Sequence, residues 1–307
     1  MFLKNILTAS LVCGLAIALS GCGSTKVQDK AQTRQYDITE SRAKNIGEVF
    51  SIQAIKDTEI PEGVNVNDSV LINGSINSGL LHWGSHFGTS AGGFSSLGLG
   101  FGMAFIDSFL RGAPFEARDG YFGYVPMSRS TNNEKAATLF LDQFVNATLK
   151  ASKELGIDKK YEVSVEDAYL AFDSDSYAGK RIWFVNDKLG CPKYKEKQSC
   201  MIRVYVSFPE TQTIISPVIA GDEMIPAWKM ESIDVARASL GYDSLQLYRG
   251  KDNVFPYDKH ELYSVIAKHL PKYAYIYAAS IKNDEGNRIP PVIYEKNKTL
   301  FFVKPKK

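Results

Sequence analysis

Histidine and cysteine are scarce in this chain, with four of each among 307 residues. His82 and His86 have a spacing that suits two metal ligands on one helix face, but no acid lies between them. Histidines that lie beside aromatic residues in a helix at the membrane edge would explain the pair as well. The chain also lacks a G-x-S-x-G motif, a P-loop lysine pattern and a dinucleotide-binding fingerprint. The sequence therefore predicts no metal, no cofactor and no catalytic residue.

An excess of one charge is also missing. The chain has 36 Lys and Arg against 34 Asp and Glu, for a formal net charge of +2. The only basic cluster is the short KPKK at the end of the sequence. Nucleic-acid binding needs clustered Lys and Arg to meet the phosphates, so the charge pattern argues against a nucleic-acid partner.

Long apolar runs are absent as well. The run from Leu97 to Ile106 is about half of the roughly 20 residues that a membrane-spanning helix needs. Near the start, Lys4 precedes an apolar stretch from Leu11 to Leu19, and small residues follow it. This layout is typical of a cleaved export signal rather than of a membrane span.

The four residues Leu19-Ser20-Gly21-Cys22 resemble the lipobox of bacterial lipoproteins. The resemblance implies that residues 1–21 are a signal peptide and that Cys22 becomes the first residue, with its sulfur diacylated. Because Gly23 and not Asp follows the cysteine, it also implies sorting to the outer membrane of a Gram-negative cell. Several acyl chains anchor a protein stably where one does not. The alternative is an ordinary secretory signal with an incidental Cys22.

Two cysteines, Cys191 and Cys200, remain in the predicted mature chain. In an exported protein, an even pair predicts a disulfide. The flanking segments 181–185 and 201–208 have strand composition, and the residues between them are polar and rich in turn formers. We therefore predict a disulfide that closes the base of a hairpin. A redox pair is less consistent with the wide spacing, and no histidine lies near to complete a zinc site.

Composition divides the mature chain into four segments. Residues 22–35 are polar and lack aromatic residues before Tyr36, which predicts a flexible tether. Residues 36–72 are predicted to be a short strand-rich segment, with strands over 48–55 and 69–72. Residues 73–113 are rich in glycine, and residues 114–307 form a disulfide-pinned α/β domain.

For this domain we predict an α+β type of fold, with a mixed or antiparallel sheet and two main helices. The first helix follows Thr131 and Glu134, which match a capping box, and ends before Gly156. The second begins at Asp258 and ends before Pro271. Runs of β-branched and aromatic residues predict strands over 161–172, 181–185, 202–208, 213–220, 273–280, 290–294 and 299–305.

The glycine-rich segment fits two secondary structures. Leu97, Leu99, Phe101 and Met103 alternate with small residues, which is strand periodicity. Counting in fours instead gives a ladder of small residues that lets membrane helices pack closely. The ladder favours a helical hairpin that inserts into the membrane or self-associates, and a glycine-rich strand or a loop are the alternatives. Its residues are Gly84, Gly88, Gly92, Ser96, Gly100, Ala104, Ser108 and Gly112.

The lipobox and the small-residue ladder together are similar to the glycine-zipper outer-membrane lipoproteins, which include the TraT-type surface-exclusion proteins. The resemblance implies an oligomeric envelope component and not an enzyme, with a role in conjugation, secretion or surface exclusion. We expect the domain to be periplasmic, with outer-membrane lipid, further copies of itself and envelope proteins as partners. The alternatives are a tethered periplasmic hydrolase, with its site near Glu166, Asp173 or His260, and a soluble binding domain with a glycine-rich loop.

Overall fold

Helices pack against two antiparallel sheets in a computed structural model of the chain. The structure describes residues 34–50, 52–53, 55–59, 119–168, 177–186, 193–194, 197–232, 245–247, 259–282 and 288–305. All of these residues belong to one compact unit, Ala31–Lys307. The combination of helices with antiparallel sheets confirms the predicted α+β fold.

The larger sheet has six strands in the order β13-β12-β9-β1-β7-β6. Every pairing in it is antiparallel. Its strands are β1 (Gly120–Pro126), β6 (Thr213–Ile214), β7 (Pro226–Glu231), β9 (Ala274–Ala278), β12 (Val292–Glu295) and β13 (Lys298–Phe301).

The smaller sheet has the order β2-β3-β5-β4, and β8 also pairs with β5. Its strands are β2 (Glu162–Asp167), β3 (Tyr177–Val185), β4 (Lys193–Tyr194), β5 (Lys197–Ser207) and β8 (Leu245–Leu247). An isolated bridge between Val206 and Ser232 links the two sheets. A separate two-stranded ribbon pairs β10 (Ile281–Lys282) with β11 (Arg288–Ile289).

Helix α2 (Asn133–Glu154) is the first of the two predicted main helices. Its N-cap is Asn132, which accepts a hydrogen bond from the Lys135 amide, and not Thr131 as the capping-box pattern predicts. Its end agrees with the prediction, because Gly156 adopts φ 67°, the left-handed conformation that glycine tolerates after a helix. The Tyr121 ring of β1 stacks on Phe140 of α2, with 4.0 Å between the ring centroids.

Helix α4 (Lys259–Lys268) is the second main helix, and it begins next to a buried ion pair. Lys259 Nζ donates to Asp119 Oδ1 at 2.9 Å, and the Tyr263 hydroxyl donates to Asp119 Oδ2 at 3.0 Å. The amide of Ala279 also donates to Asp119 Oδ1, at 2.9 Å. Two residues of α4 and the residue that follows β9 all donate to this carboxylate, which directly precedes β1. The network therefore holds the start of α4 against β1 and β9.

The predicted strand over 48–55 is wrong, because Arg42–Val49 forms helix α1. Ser41 caps this helix by accepting a hydrogen bond from the Lys44 amide at 2.9 Å. Its apolar residues recur at helical spacing and are buried, a pattern that outweighs the β-branched residues on which the strand prediction rests. At its end Phe50 packs on Phe122 of the six-stranded sheet, with 4.5 Å between ring centroids.

Helix α1 therefore covers the face of the six-stranded sheet opposite to α2. Arg42 of α1 forms two hydrogen bonds with the Glu295 carboxylate of β12, at 2.8 and 2.6 Å. These bonds raise the pKa of Arg42 above its ordinary value, and the nearby charge of Glu295 adds to the effect. These bonds attach α1, near the N-terminal end of the described chain, to strand β12 near its C-terminal end.

The strand predicted over 213–220 is only partly correct. Strand β6 ends at Ile214, and α3 (Pro217–Ala220) follows. Pro217 stands at the start of this short helix, where its fixed φ suits a helix and its missing N–H costs nothing. The glycine-rich hairpin predicted within 73–113 and the strand predicted over 69–72 lie outside the described residues, as do residues 22–33 of the tether predicted over 22–35.

Candidate binding surface on the smaller sheet

Of the predicted lipidation, disulfide and ladder residues, the structure describes Cys200 alone. It is fully buried, stands opposite Phe184 in the pairing of β3 with β5, and is disulfide-bonded. Cys191, Cys22 and the whole ladder from Gly84 to Gly112 lie outside the described residues. The pairing of β3 with β5 does follow the predicted hairpin.

The two faces of the smaller sheet have different surroundings. On one face Ile182, Phe184, Ile202 and Val204 join the main hydrophobic core, which also contains the buried side of α2. Side chains alternate between the faces of a strand, so their sequence neighbours point away from that core. The second face is therefore where the domain presents polar and aromatic groups outside its main core.

A row of charged residues crosses this second face. Glu166 of β2 stands opposite Arg181 of β3, and Arg181 stands opposite Arg203 of β5. Two like charges directly opposite each other normally destabilise a sheet. Here Arg181 Nη1 lies 3.2 Å from Glu166 Oε1, which offsets part of that repulsion.

Burial and hydrogen bonds act in opposite directions on Arg181. Burial alone would lower the pKa of its guanidinium, whereas hydrogen bonds to the Tyr205 hydroxyl and to Glu166 raise it, and the net pKa is above the ordinary value. Arg203 lies over the face of the Tyr205 ring, 5.5 Å from its centroid, and is 8% exposed. A cation over an aromatic face is attracted by the negative face of the ring.

Gly179 makes room for the aromatic part of this face. A Cβ at position 179 would lie 2.3 Å from the Tyr205 ring and 2.8 Å from the carbonyl oxygen of Ala168. Only glycine permits that approach, so the small residue and the ring are matched. Trp183 lies on the same face and is 8% exposed.

On the core side of the sheet, Lys180 joins β2, β3 and α2. Its ammonium lies 2.8 Å from Asp167 and 3.6 Å from Asp142 of α2. The hydrogen bond to Asp167 raises the pKa of Lys180, against the opposing effect of partial burial, and Asp142 adds to the increase. This contact holds the edge strand β2 to the helix.

This second face is buried where its arginine–aromatic contacts lie: Tyr205 is 2% exposed, and Trp183 and Arg203 are 8% exposed each. Arg181 keeps 25% of its side chain exposed, beside Glu166 at 42%. Guanidinium groups bind carboxylates and phosphates through paired hydrogen bonds, so Arg181 and not Arg203 is the group that could meet a ligand. The sequence reasoning missed Arg181 and Arg203. The sequence could have indicated them, because both lie in predicted strands and directly precede or follow apolar residues that belong to the core.

Two of the residues near which the alternative hydrolase site was expected lie in different elements of the described structure. His260 is 1% exposed, and its Nδ1 lies 2.7 Å from the Tyr294 hydroxyl of the six-stranded sheet. Glu166 belongs to the smaller sheet and pairs with Arg181. Asp173 lies outside the described residues. Within the part of the chain that the structure describes, no group of three or more His, Cys, Asp or Glu side chains is arranged to hold a metal ion.

The chain matches no protein-family model, no curated protein and no solved structure. Among the described helices, none combines the length and the apolar character needed to cross a membrane.

Proposed function

We propose that this chain is an outer-membrane lipoprotein whose α+β domain is a non-enzymatic interaction component of a cell-envelope complex. The single observation that carries the proposal is the sequence Leu19-Ser20-Gly21-Cys22, which follows an export signal and ends in an acylable cysteine. The resemblance to glycine-zipper lipoproteins implies a more specific role for this complex in conjugation, secretion or surface exclusion.

The contacts of Arg34 support a domain held near the membrane. Arg34 already forms ion pairs with Glu40 and, at 3.8 Å, with Glu48 of α1. Only residues 23–33 separate Cys22 from Arg34. An extended chain spans at most about 3.6 Å per residue, so a lipid on Cys22 would keep the domain within roughly 40 Å of the bilayer surface.

The use of charged groups in the fold supports an interaction role. Asp119 and Lys259 are bonded to each other inside the domain, and His260 is buried against Tyr294. These groups stabilise helix packing. On the smaller sheet, Glu166 of β2 and Arg181 of the neighbouring β3 keep 42% and 25% of their side chains exposed. Charged groups on the surface suit recognition of a partner protein of complementary charge.

Fractionation of a Gram-negative host tests the proposal. The wild-type chain should be found in the outer-membrane fraction. Cys22→Ala removes the acylated sulfur, so this variant should lose stable membrane attachment. Gly23→Asp is the matched control, because it keeps the lipid but carries the residue that lipoproteins of this type use for retention in the inner membrane. It should move to the inner-membrane fraction.

The domain must stay folded for this comparison to be informative. Both substitutions lie before Arg34, so the thermal transition of the extracted proteins should be unchanged. Equal distribution of all three proteins among the fractions would overturn the proposal. A wild-type chain recovered entirely in the soluble periplasmic fraction would do the same.

A further inference from the structure

Few large apolar side chains are exposed in the described part of the chain, and most of them are grouped. They are Tyr36, Ile38, Val165, Ile214 and Met224. Ile38 and Met224 are 79% and 78% exposed, whereas Val165 and Ile214 are 38% exposed each. Single exposed apolar residues are ordinary, but a group of them marks a surface that contacts a protein or a membrane.

Three of these residues lie near the contact between Arg34 and Ser216. The Ser216 hydroxyl, directly before α3, lies 3.5 Å from the carbonyl oxygen of Arg34. Along the chain, Tyr36 and Ile38 follow Arg34 by two and four residues, and Ile214 precedes Ser216 by two. The contact therefore brings the segment that follows Arg34 to the end of β6.

The pairing of β6 with β7 brings Met224 to the same place. Ile214 stands opposite Pro226, and the Ile215 amide donates to the Ile225 carbonyl at 2.9 Å. Because Met224 directly precedes Ile225, it lies close to the start of α3. Together these four residues form what we call the apolar patch, which consists of Tyr36, Ile38, Ile214 and Met224.

The predicted lipid tether ends at the apolar patch. Residues 23–33 connect Cys22 to Arg34, and the patch begins two residues later at Tyr36. A partner held on a short tether is present at a high effective concentration, so a small contact with it is sufficient. In the proposed lipoprotein, that partner is the bilayer that holds the acyl chains of Cys22.

The charges beside the patch indicate which lipids it suits. Asp37 precedes Ile38, and Asp222 and Glu223 precede Met224, and all three acids are exposed. Carboxylates at a membrane surface are repelled by anionic headgroups. The contact is therefore apolar in character and suits zwitterionic lipid.

We propose that the apolar patch docks on the phospholipid bilayer that holds the lipid anchor. Ile38 and Met224 enter the boundary between headgroups and acyl chains, and Tyr36 suits the same depth because tyrosine is enriched at membrane interfaces. Docking gives the domain one orientation on the membrane, which a tether alone does not give. This inference rests on the proposed function, because the anchor on Cys22 supplies the bilayer.

Fluorescence quenching in vesicles tests the docking. The acylated full chain is reconstituted into phosphatidylcholine vesicles with the fluorophore NBD attached in turn to Ile38→Cys, Met224→Cys and Val165→Cys. The third site is the matched control, because Val165 is also exposed and apolar but belongs to the smaller sheet. A nitroxide on the lipid acyl chain, close to the headgroup, should quench positions 38 and 224 at least about threefold more than position 165.

A charged substitution tests whether the contact is apolar. Ile38→Asp places a carboxylate where the bilayer is proposed to lie, so it should lower the quenching of NBD at position 224 by roughly half or more. Val165→Asp is the matched control and should leave that quenching unchanged. An unchanged thermal transition shows that both variants are folded. If Ile38→Asp does not fold, the comparison of the three labelled positions decides.

Three results would overturn the inference. Equal quenching at positions 38, 224 and 165 would show that the patch has no preferred contact with the bilayer. Undiminished quenching at position 224 in a folded Ile38→Asp variant would show that the patch does not act as one surface. Quenching that requires anionic phosphatidylglycerol would show a contact driven by charge.

Flotation of the same vesicles distinguishes this inference from the proposed function. A chain that floats with the vesicles but is not quenched at positions 38 and 224 keeps its lipid anchor and lacks the docking. A chain that does not float lacks the anchor itself, so the proposed function fails first.

Discussion

Gly179 of β3 stands directly opposite Tyr205 of β5, and the tyrosine ring occupies the space that a side chain at position 179 would need. The fit of the ring against Gly179 determines where the other side chains lie on this face of the smaller sheet. The ring that fills the space also accepts the Arg203 guanidinium on its face, and its hydroxyl bonds to Arg181. A single missing side chain therefore permits the contacts of both arginines.

Gly179→Ala is expected to destabilise the domain by about 1–3 kcal/mol, because the added methyl group overpacks against Tyr205. Most of this cost should depend on the ring, so it should be roughly 1 kcal/mol smaller in a Tyr205→Leu background. Urea unfolding of the two single variants and the double variant measures the coupling. Equal costs of Gly179→Ala in both backgrounds would show that the clash is with the backbone of Ala168 alone.

Asp119→Ala is expected to cost about 3–5 kcal/mol of unfolding free energy, because it leaves the Lys259 ammonium buried without its carboxylate. The Lys259 side chain is only 7% exposed, so solvent cannot replace the partner. The matched control is Asp142→Ala. Asp142 is 48% exposed and lies 3.6 Å from Lys180, so its loss should cost less than about 1 kcal/mol. Similar costs for the two variants would contradict the assigned role of Asp119.

The contact between α2 and α4 should weaken in acid. Glu154 accepts a hydrogen bond from Lys268 and lies 2.9 Å from His269, and these contacts lower the pKa of its carboxyl from the ordinary 4.5. A lowered folded-state pKa means that the contribution is present above pH 4.5 and is lost as the pH falls through the lower folded value. Because Glu154 is 39% exposed, we expect only a few tenths of a kcal/mol.

Glu154→Gln measures this contribution through the difference in melting temperature between the variant and the wild type. The difference should be present at pH 7, shrink as the pH falls below 4.5, and diminish in high salt. A difference that grows toward low pH would contradict the assigned sign.

The small-residue ladder gives a prediction about assembly. Removal of Ser78 to Gly112 should convert a defined multimer into a folded monomer, because close packing of small residues holds helices together. Light scattering of the detergent-extracted proteins, with the lipid mass subtracted, compares the two forms. If both are monomers, the segment does not drive self-association.

The sequence is sufficient to predict the parts of the fold whose periodicity is strong. Helix α2 has apolar residues at helical spacing and a glycine stop, and its residues Leu141 and Phe144 are fully buried. Strands β3 and β5 have enough β-branched and aromatic residues to be recognised. Their pairing follows from the short polar segment between them.

Several elements escape sequence reasoning, and three of them do so for identifiable physical reasons. Strand β1 has two glycines and is almost entirely buried, because sheet neighbours and helices cover both its faces, so it shows no alternation. In strand β7 the adjacent residues Trp228 and Lys229 are on opposite faces, but the strand is too short for the alternation to be recognised in the sequence. Helix α1 depends on its cap at Ser41 and on docking against Glu295, a contact between residues far apart in sequence.

The candidate surface depends on sheet register, which no local pattern supplies. Arg181 and Arg203 are each ordinary strand residues, and only the pairing of β3 with β5 places them side by side. Tertiary structure was needed to recognise this pair.

The intact mass of the protein extracted from membranes tests the central claim most directly. The account predicts a chain that begins at Cys22 and carries the added mass of acyl groups, which a Cys22→Ala variant lacks. A mature chain that begins at another residue, or that begins at Cys22 without acyl groups, would contradict the lipid anchor and with it the assignment to the outer membrane.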